Sequence, residues 1–172
     1  VVGVGAMGAI YAGLLADAGH EVWAVDIRQD HIDAINANGL HITGASGERI
    51  VTSIRATTDI AEAGGCDLYI VATKASGVGS AARAIAPLAG PGSIVLTIQN
   101  GLGSGERIAE HMAIDNVLVG VAEGFGACME RVGHVHHNAM NLIRIGEING
   151  GMTARVENVT KIWQDAGFNA RG

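Results

Sequence analysis

The chain is poor in proline, cysteine and charge, and each scarcity excludes something. Two prolines among 172 residues cannot make a proline-rich linker, so the 26 glycines read as tight turns and close backbone contacts rather than a flexible tract. The two cysteines, Cys66 and Cys128, stand far apart and match no metal or redox spacing. Free, buried thiols in a reducing compartment are expected. Charged residues make up 16% of the chain against 48% hydrophobic, a balance that excludes disorder and suits a fully buried sheet. With 11 basic and 17 acidic side chains, the net charge of −6 leaves no basic footprint for nucleic acid. The length suffices for one good core and the start of a second domain.

Val1 to Ala16 contains no charge, but the run stops at Asp17, short of the roughly 20 apolar residues that a membrane span needs. It has no basic leader, and glycines at positions 3, 5, 8 and 13 interrupt it. It reads as a buried strand followed by a helix, so no membrane partner is expected and the expected compartment is the cytoplasm. Only Val1 and Val2 precede the first glycine, whereas a core strand has about five residues. A few residues are therefore expected in front, and Phe168–Gly172 looks equally abrupt as an end.

Short apolar runs alternate with helical ones, the mark of βαβ units. Strands are predicted at Val1–Gly3, Glu21–Val25, Leu68–Val71, Ser93–Ile98 and Val117–Val121, and helices at Met7–Asp17, His31–Asn38, Val78–Leu88, Glu106–Met112 and Met152–Asp165. Leu40–Thr43 and Glu48–Ile54 read as a hairpin across Gly44-Ala45-Ser46-Gly47. Val132–His136 and Leu142–Ile145 read as a late antiparallel pair. The predicted class is α/β: a Rossmann-type doubly wound, mostly parallel sheet with helices on both faces.

The sharpest motif is Gly3-Val4-Gly5-Ala6-Met7-Gly8, a GxGxxG set between strand and helix. Gly3 allows the tight turn, Gly5 lets backbone approach a pyrophosphate, and Gly8 lets the helix pack close to the strand. The helix N-terminus adds unpaired N–H groups and a partial positive charge. The next strand ends at Asp26, eighteen residues after Gly8, near the ~20 expected of a ribose-binding acid. A carboxylate there accepts hydrogen bonds from both ribose hydroxyls and repels the 2′-phosphate of NADP, which points to NAD. Arg28 reads equally as a partner for that phosphate or for adenine, or as a solvated surface charge.

In open α/β sheets ligands lie beyond the carboxyl ends of the strands. Lys74 follows one such end and Asn100 another. The lysine can steady a carboxylate, a phosphate or developing charge on a carbonyl oxygen. The asparagine can orient the nicotinamide ribose or a substrate carbonyl. The alternatives are a surface lysine at a helix start and an Asn-Gly turn. His134, His136 and His137 do not make a metal site, because on a strand the third points away from the first two. A strand near a cleft rim is expected to explain them. Glu106 and Glu110 read as solvated, and the scattered methionines as packing.

Five stretches together resemble the ketopantoate reductase (2-dehydropantoate 2-reductase) family, N-terminal domain. They are Gly5-Ala6-Met7-Gly8 with Ala18-Gly19-His20-Glu21-Val22, then Val71-Ala72-Thr73-Lys74-Ala75, then Leu88-Ala89-Gly90-Pro91-Gly92-Ser93, then Gln99-Asn100-Gly101-Leu102-Gly103, and last Gly133-His134-Val135-His136 with Ile145-Gly146-Glu147. The resemblance implies reduction of the 2-oxoacid 2-dehydropantoate to pantoate with NADPH, on the way to pantothenate and coenzyme A. It sets Lys74 and Asn100 near nicotinamide and substrate. It assigns the proton-donating lysine and a substrate-binding glutamate to a C-terminal helical domain beyond Gly172, so Lys161 is not given that role. Residues 1–150 would then be the NAD(P)-binding domain, and 151–172 its last helix and the start of the connection. NADP(H) follows from the resemblance, and Asp26 keeps NAD(H) open. A homodimer is left open. The competing readings are a β-hydroxyacid or glycerol-phosphate dehydrogenase and a non-catalytic NAD(H)-sensing domain.

Overall fold

The structure, a computed structural model, describes residues 1–172. Its helices are α1 (Ala6–Asp17), α2 (Gln29–Asn38), α3 (Val78–Ile85), α4 (Ser104–Ala109) and α5 (Ala154–Asp165). The strands are β1 (Val22–Val25), β2 (Leu40–Gly44), β3 (Arg49–Val51), β4 (Ile54–Thr57), β5 (Leu68–Val71), β6 (Ile94–Thr97), β7 (Val117–Glu123), β8 (Gly126–Arg131), β9 (His134–Ala139), β10 (Leu142–Glu147) and β11 (Ala170–Arg171). No helix is long and apolar enough to cross a membrane.

Val1–Gly3 is the hinge of the topology although it is too short to count as a full strand. The Val2 N–H donates to the Ile70 carbonyl at 2.8 Å, and the Val2 carbonyl accepts from Ala72 at 2.8 Å. On its other side Val25 donates to Val1 at 2.8 Å, and Gly3 donates to Val25 at 2.7 Å. These bonds join β4-β1 to β5-β6-β7-β10-β11 in one sheet, with the Val2 segment between β1 and β5. The order reverses at that segment, which is the doubly wound arrangement. All pairings up to β7 are parallel, while β10 runs antiparallel to β7 and carries β11 parallel to itself.

The strands read as continuous apolar runs because both faces are covered. Ile70, Leu96 and Leu118 enter the core shared with α1, α2 and α5, while their neighbours Tyr69, Val71, Val95 and Val117 pack under α3 and α4. A second sheet, β3-β2-β9-β8, covers the outer side of α1. That layer explains why α1 has no polar face: Gly8 to Ala16 are all buried. A helix apolar all round is a helix enclosed on both sides.

Three expectations need correction. Val132–His136 and Leu142–Ile145 do not pair with each other. β9 joins β2 and β8 in the second sheet, while β10 joins β7 in the first. Adjacent apolar segments look like a hairpin in sequence, but β8, which the alternation did not reveal, is the hairpin partner of β9. The end of the predicted Glu48–Ile54 strand instead begins β4, a separate strand of the main sheet. The cysteines are free as expected, yet Cys66 is half-buried and Cys128 exposed rather than both buried. The histidines sit within the second sheet, with His134 and His136 both reaching the Thr43 hydroxyl and His137 wholly buried against Phe125. Burial, first among the causes, holds His134 and His137 below the usual imidazole range.

Candidate active-site cleft

The turn from Val2 into α1 is shaped by contact at two glycines and by open space at a third. Gly3 has φ of +91°, and a Cβ there would lie 2.7 Å from the Thr73 nitrogen. A Cβ on Gly8 would lie 2.0 Å from the Gly3 carbonyl oxygen. Gly5 meets nothing within 4 Å of where its Cβ would be. Gly5 is also the N-cap of α1, and no side chain caps the helix. The first-turn N–H groups therefore face open space without intrahelical partners.

That space is a cleft of about 430 Å³. The glycine loop (Gly5, Ala6, Met7 and Gly8) forms one wall, Thr73 and Lys74 a second, and Gln99 and Asn100 a third, with Tyr11 and Phe125 also lining it. The sequence-predicted residues Lys74 and Asn100, both exposed, are thus brought to the same opening as the loop. Gly3 and Val4 lie behind it, Val4 being wholly buried. Asp26 and Arg28 follow the end of β1, outside the lining of this cleft. The Asp26 Oδ1 accepts the Arg28 main-chain N–H at 3.1 Å, and the Arg28 guanidinium pairs with Asp30 at 2.8 Å. A second cavity of about 330 Å³, lined by Val22, Leu68 and Ile162 among others, lies by the amino ends of the strands and holds none of these groups.

Three positioning residues escaped the sequence reading. The Gln99 side chain donates to the Val71 carbonyl and accepts from the Thr97 hydroxyl, tying the end of β6 to the end of β5. That staple sets the separation of the Lys74 and Asn100 loops. Arg107 on α4 donates to the Ala75 carbonyl at 2.9 Å and holds the turn after Lys74. His31, wholly buried on α2, lies 2.9 Å from the Val4 carbonyl. Of the three only Gln99 was visible beforehand, within a family-like stretch and with no role of its own; side chains reaching across strands leave no local pattern.

The donor set fits a dinucleotide diphosphate: bare main chain at Gly5, uncapped N–H groups on α1, and a cationic Lys74 at the rim. Two polar atoms of residues in the wall, the Tyr11 hydroxyl and Thr73 Oγ1, find no protein partner. Burial pushes the Tyr11 phenol up, so it stays protonated.

Sheet order, glycine turn and cleft together define a Rossmann-type domain with its ligand groove at the topological switch point. The family model described as "Ketopantoate reductase PanE/ApbA" matches residues 1–150, and the chain belongs to that family. It is 33% identical over 168 residues to a 2-dehydropantoate 2-reductase of Halobacterium salinarum, covering 98% of this chain and 55% of the relative. A Nostoc protein of the same description is 29% identical over 176 residues, at 98% and 54% coverage. The crystal structure of 2-dehydropantoate 2-reductase from Geobacter metallireducens GS-15 superposes with a TM-score of 0.91 at 31% identity, covering 99% of this chain and 56% of that one. The chain spans about half the length of the curated relatives it matches.

Proposed function

We propose that this chain is the dinucleotide-binding part of an oxidoreductase of the 2-dehydropantoate 2-reductase type, reducing the ketone of 2-dehydropantoate to the alcohol of pantoate. The observation that carries the reading is the meeting of Lys74 and Asn100 with the glycine loop around one cleft. The names of the similar proteins favour this substrate over other 2-oxoacids. Residues 1–150 form the NAD(P)-binding domain, and 151–172 lead to a C-terminal helical domain that brings the proton donor. The protein works in the cytoplasm on a small 2-oxoacid.

A nicotinamide coenzyme, when held in this cleft, would supply the hydride that the ketone carbon takes up. Gly5, Ala6, Met7 and Gly8 offer main-chain N–H groups to the diphosphate, and Asp26 accepts from the ribose. Lys74 places its positive charge where the carbonyl oxygen gains negative charge, which stabilises that state more than the ground state. Asn100 donates and accepts at the nicotinamide ribose or the substrate, held in place by the neighbouring Gln99 staple. Tyr11 and Phe125 keep an apolar floor that strengthens these interactions.

The test is steady-state oxidation of NADH and NADPH by the full-length protein with 2-dehydropantoate, compared with the oxidised forms of 3-hydroxyacids and with dihydroxyacetone phosphate. Turnover is expected with 2-dehydropantoate. Silence with it, beside turnover of another substrate, overturns the assignment.

A further inference from the structure

The buried ring of His31 connects three parts of the protein that are distant in sequence. One nitrogen, Nε2, lies 2.9 Å from the Val4 carbonyl within the glycine loop. The other, Nδ1, lies 3.0 Å from the main-chain nitrogen of Gly133, in the turn between β8 and β9. An N–H can only donate and a carbonyl can only accept, so both partners dictate one state of the ring. Nδ1 is the bare acceptor for Gly133, and Nε2 carries the hydrogen donated to Val4. Both ring nitrogens are satisfied only in the neutral imidazole.

The bond to Val4 has a consequence one atom further on. In a trans peptide the carbonyl and the following N–H point in opposite directions, and no peptide here is cis. The Val4 carbonyl is held inward by a wholly buried ring. The Gly5 N–H therefore points away from that ring, and Gly5 itself lines the cleft, with nothing within 4 Å of where its Cβ would be. We infer that His31 is a positioning residue for the diphosphate-binding loop: its neutral ring fixes the Val4–Gly5 peptide so that the Gly5 N–H is presented to the dinucleotide. This rests on the dinucleotide reading above and names a residue that reading does not use.

Protonation undoes the arrangement. A proton on Nδ1 would face the Gly133 N–H, donor against donor, beside a wholly buried ring. Burial is the largest influence on His31 and holds it below its ordinary 6.5. The Val4 carbonyl, Asp26 and Asp30 favour the charged form and Arg28 opposes it, without reversing that outcome. The β8–β9 turn brings the Gly133 main chain against the ring. Dinucleotide affinity is thus level above about pH 6.5 and declines as the pH falls further, as the loop loses its anchor.

The experiment is fluorescence titration of the chain with NADH between pH 5 and 8, for the native protein, His31→Gln and His31→Asn, with thermal unfolding measured on each. NADH is the probe because it lacks the phosphate monoester that itself titrates near pH 6. The Gln amide reaches the Nε2 position and keeps a donor for Val4. The Asn amide reaches only the Nδ1 position and keeps an acceptor for Gly133. The expected result is native-like affinity without the acid decline for Gln, and roughly tenfold weaker binding at neutral pH for Asn, the scale of one hydrogen bond. Equal affinity for folded Asn variant and native protein overturns the proposal. So does an acid decline in the Gln variant as steep as the native one, which decides the matter even if the Asn variant fails to fold. Absence of native binding to both NADH and NADPH would instead overturn the dinucleotide reading itself.

Discussion

Gly8 leaves no room for a side chain against Gly3: a Cβ there would sit 2.0 Å from the Gly3 carbonyl oxygen. That oxygen is main chain in a turn hydrogen-bonded to β1, so it cannot move aside cheaply. Gly8→Ala is expected to lose about 1–3 kcal/mol of stability or more, the scale of overpacking. Gly5→Ala is the contrasting change. Its φ of −62° suits any residue and its Cβ would project into open cleft. Stability should change by less than about 1 kcal/mol, while NADH affinity falls at least about tenfold. Urea unfolding and NADH titration of both variants check this. An unchanged Gly5→Ala affinity would remove the diphosphate from this loop.

Asp26 is expected to set the choice between coenzymes. One of its oxygens holds the Arg28 N–H, but the Arg28 side chain is engaged by Asp30 and lies 3.3 Å from the Met129 sulfur. The guanidinium is therefore matched elsewhere, and the Asp26 charge stands against a 2′-phosphate carrying about two negative charges. NADH should bind at least about tenfold tighter than NADPH, and Asp26→Ser should narrow the ratio. Parallel titrations measure it, and a ratio that does not move with the substitution would exclude Asp26 from the ribose site.

Trp163 is expected to be the costliest single truncation in α5. Its ring is wholly buried, 5.0 Å from Tyr11 and 4.8 Å from Phe168 between ring centres. Trp163→Ala should destabilise by about 3–5 kcal/mol, read as a lower urea midpoint with unchanged slope. A loss under about 1 kcal/mol would mean that α5 packs otherwise. Tyr11 links this cluster to the cleft, so a fall in NADH affinity should accompany it.

Glu147 at the end of β10 joins α5 through Arg155, whose Nε donates to Oε1 at 2.8 Å while Nη2 reaches Oε2, and through the Thr153 hydroxyl. The Arg155 hydrogen bond, foremost, holds this carboxyl below its ordinary 4.5. A depressed carboxyl stabilises the fold fully above the unfolded value, and the stabilisation fades as pH falls through the folded one. Glu147→Gln should cost about 1–2 kcal/mol at pH 7 and flatten the acid limb of the stability profile below about pH 4.5. An acid limb as steep as the native one would assign that limb to other groups.

How much of this was legible beforehand follows the range of each interaction. The strand–turn–helix at Gly3–Gly8, the acid at Asp26 and the strand ends before Lys74 and Asn100 are written in local spacing, because a turn or a strand end is specified by the residues that make it. The glycines behave as the spacing predicts: contact at Gly3 and Gly8, space at Gly5. The second sheet was not legible as a sheet. β2 and β9 pair in parallel across some ninety residues, and parallel pairing leaves no turn signal between its partners.

What the sequence alone determined is the class of fold and the chemistry of the opening loop, since backbone freedom at glycine and apolar periodicity act over a few residues. Tertiary structure decided which loops meet and in what orientation. Gln99 reaching Val71 and His31 reaching Val4 and Gly133 are bonds between segments from 27 to 102 residues apart, and only the packed sheet and its covering layer bring such partners within hydrogen-bond distance.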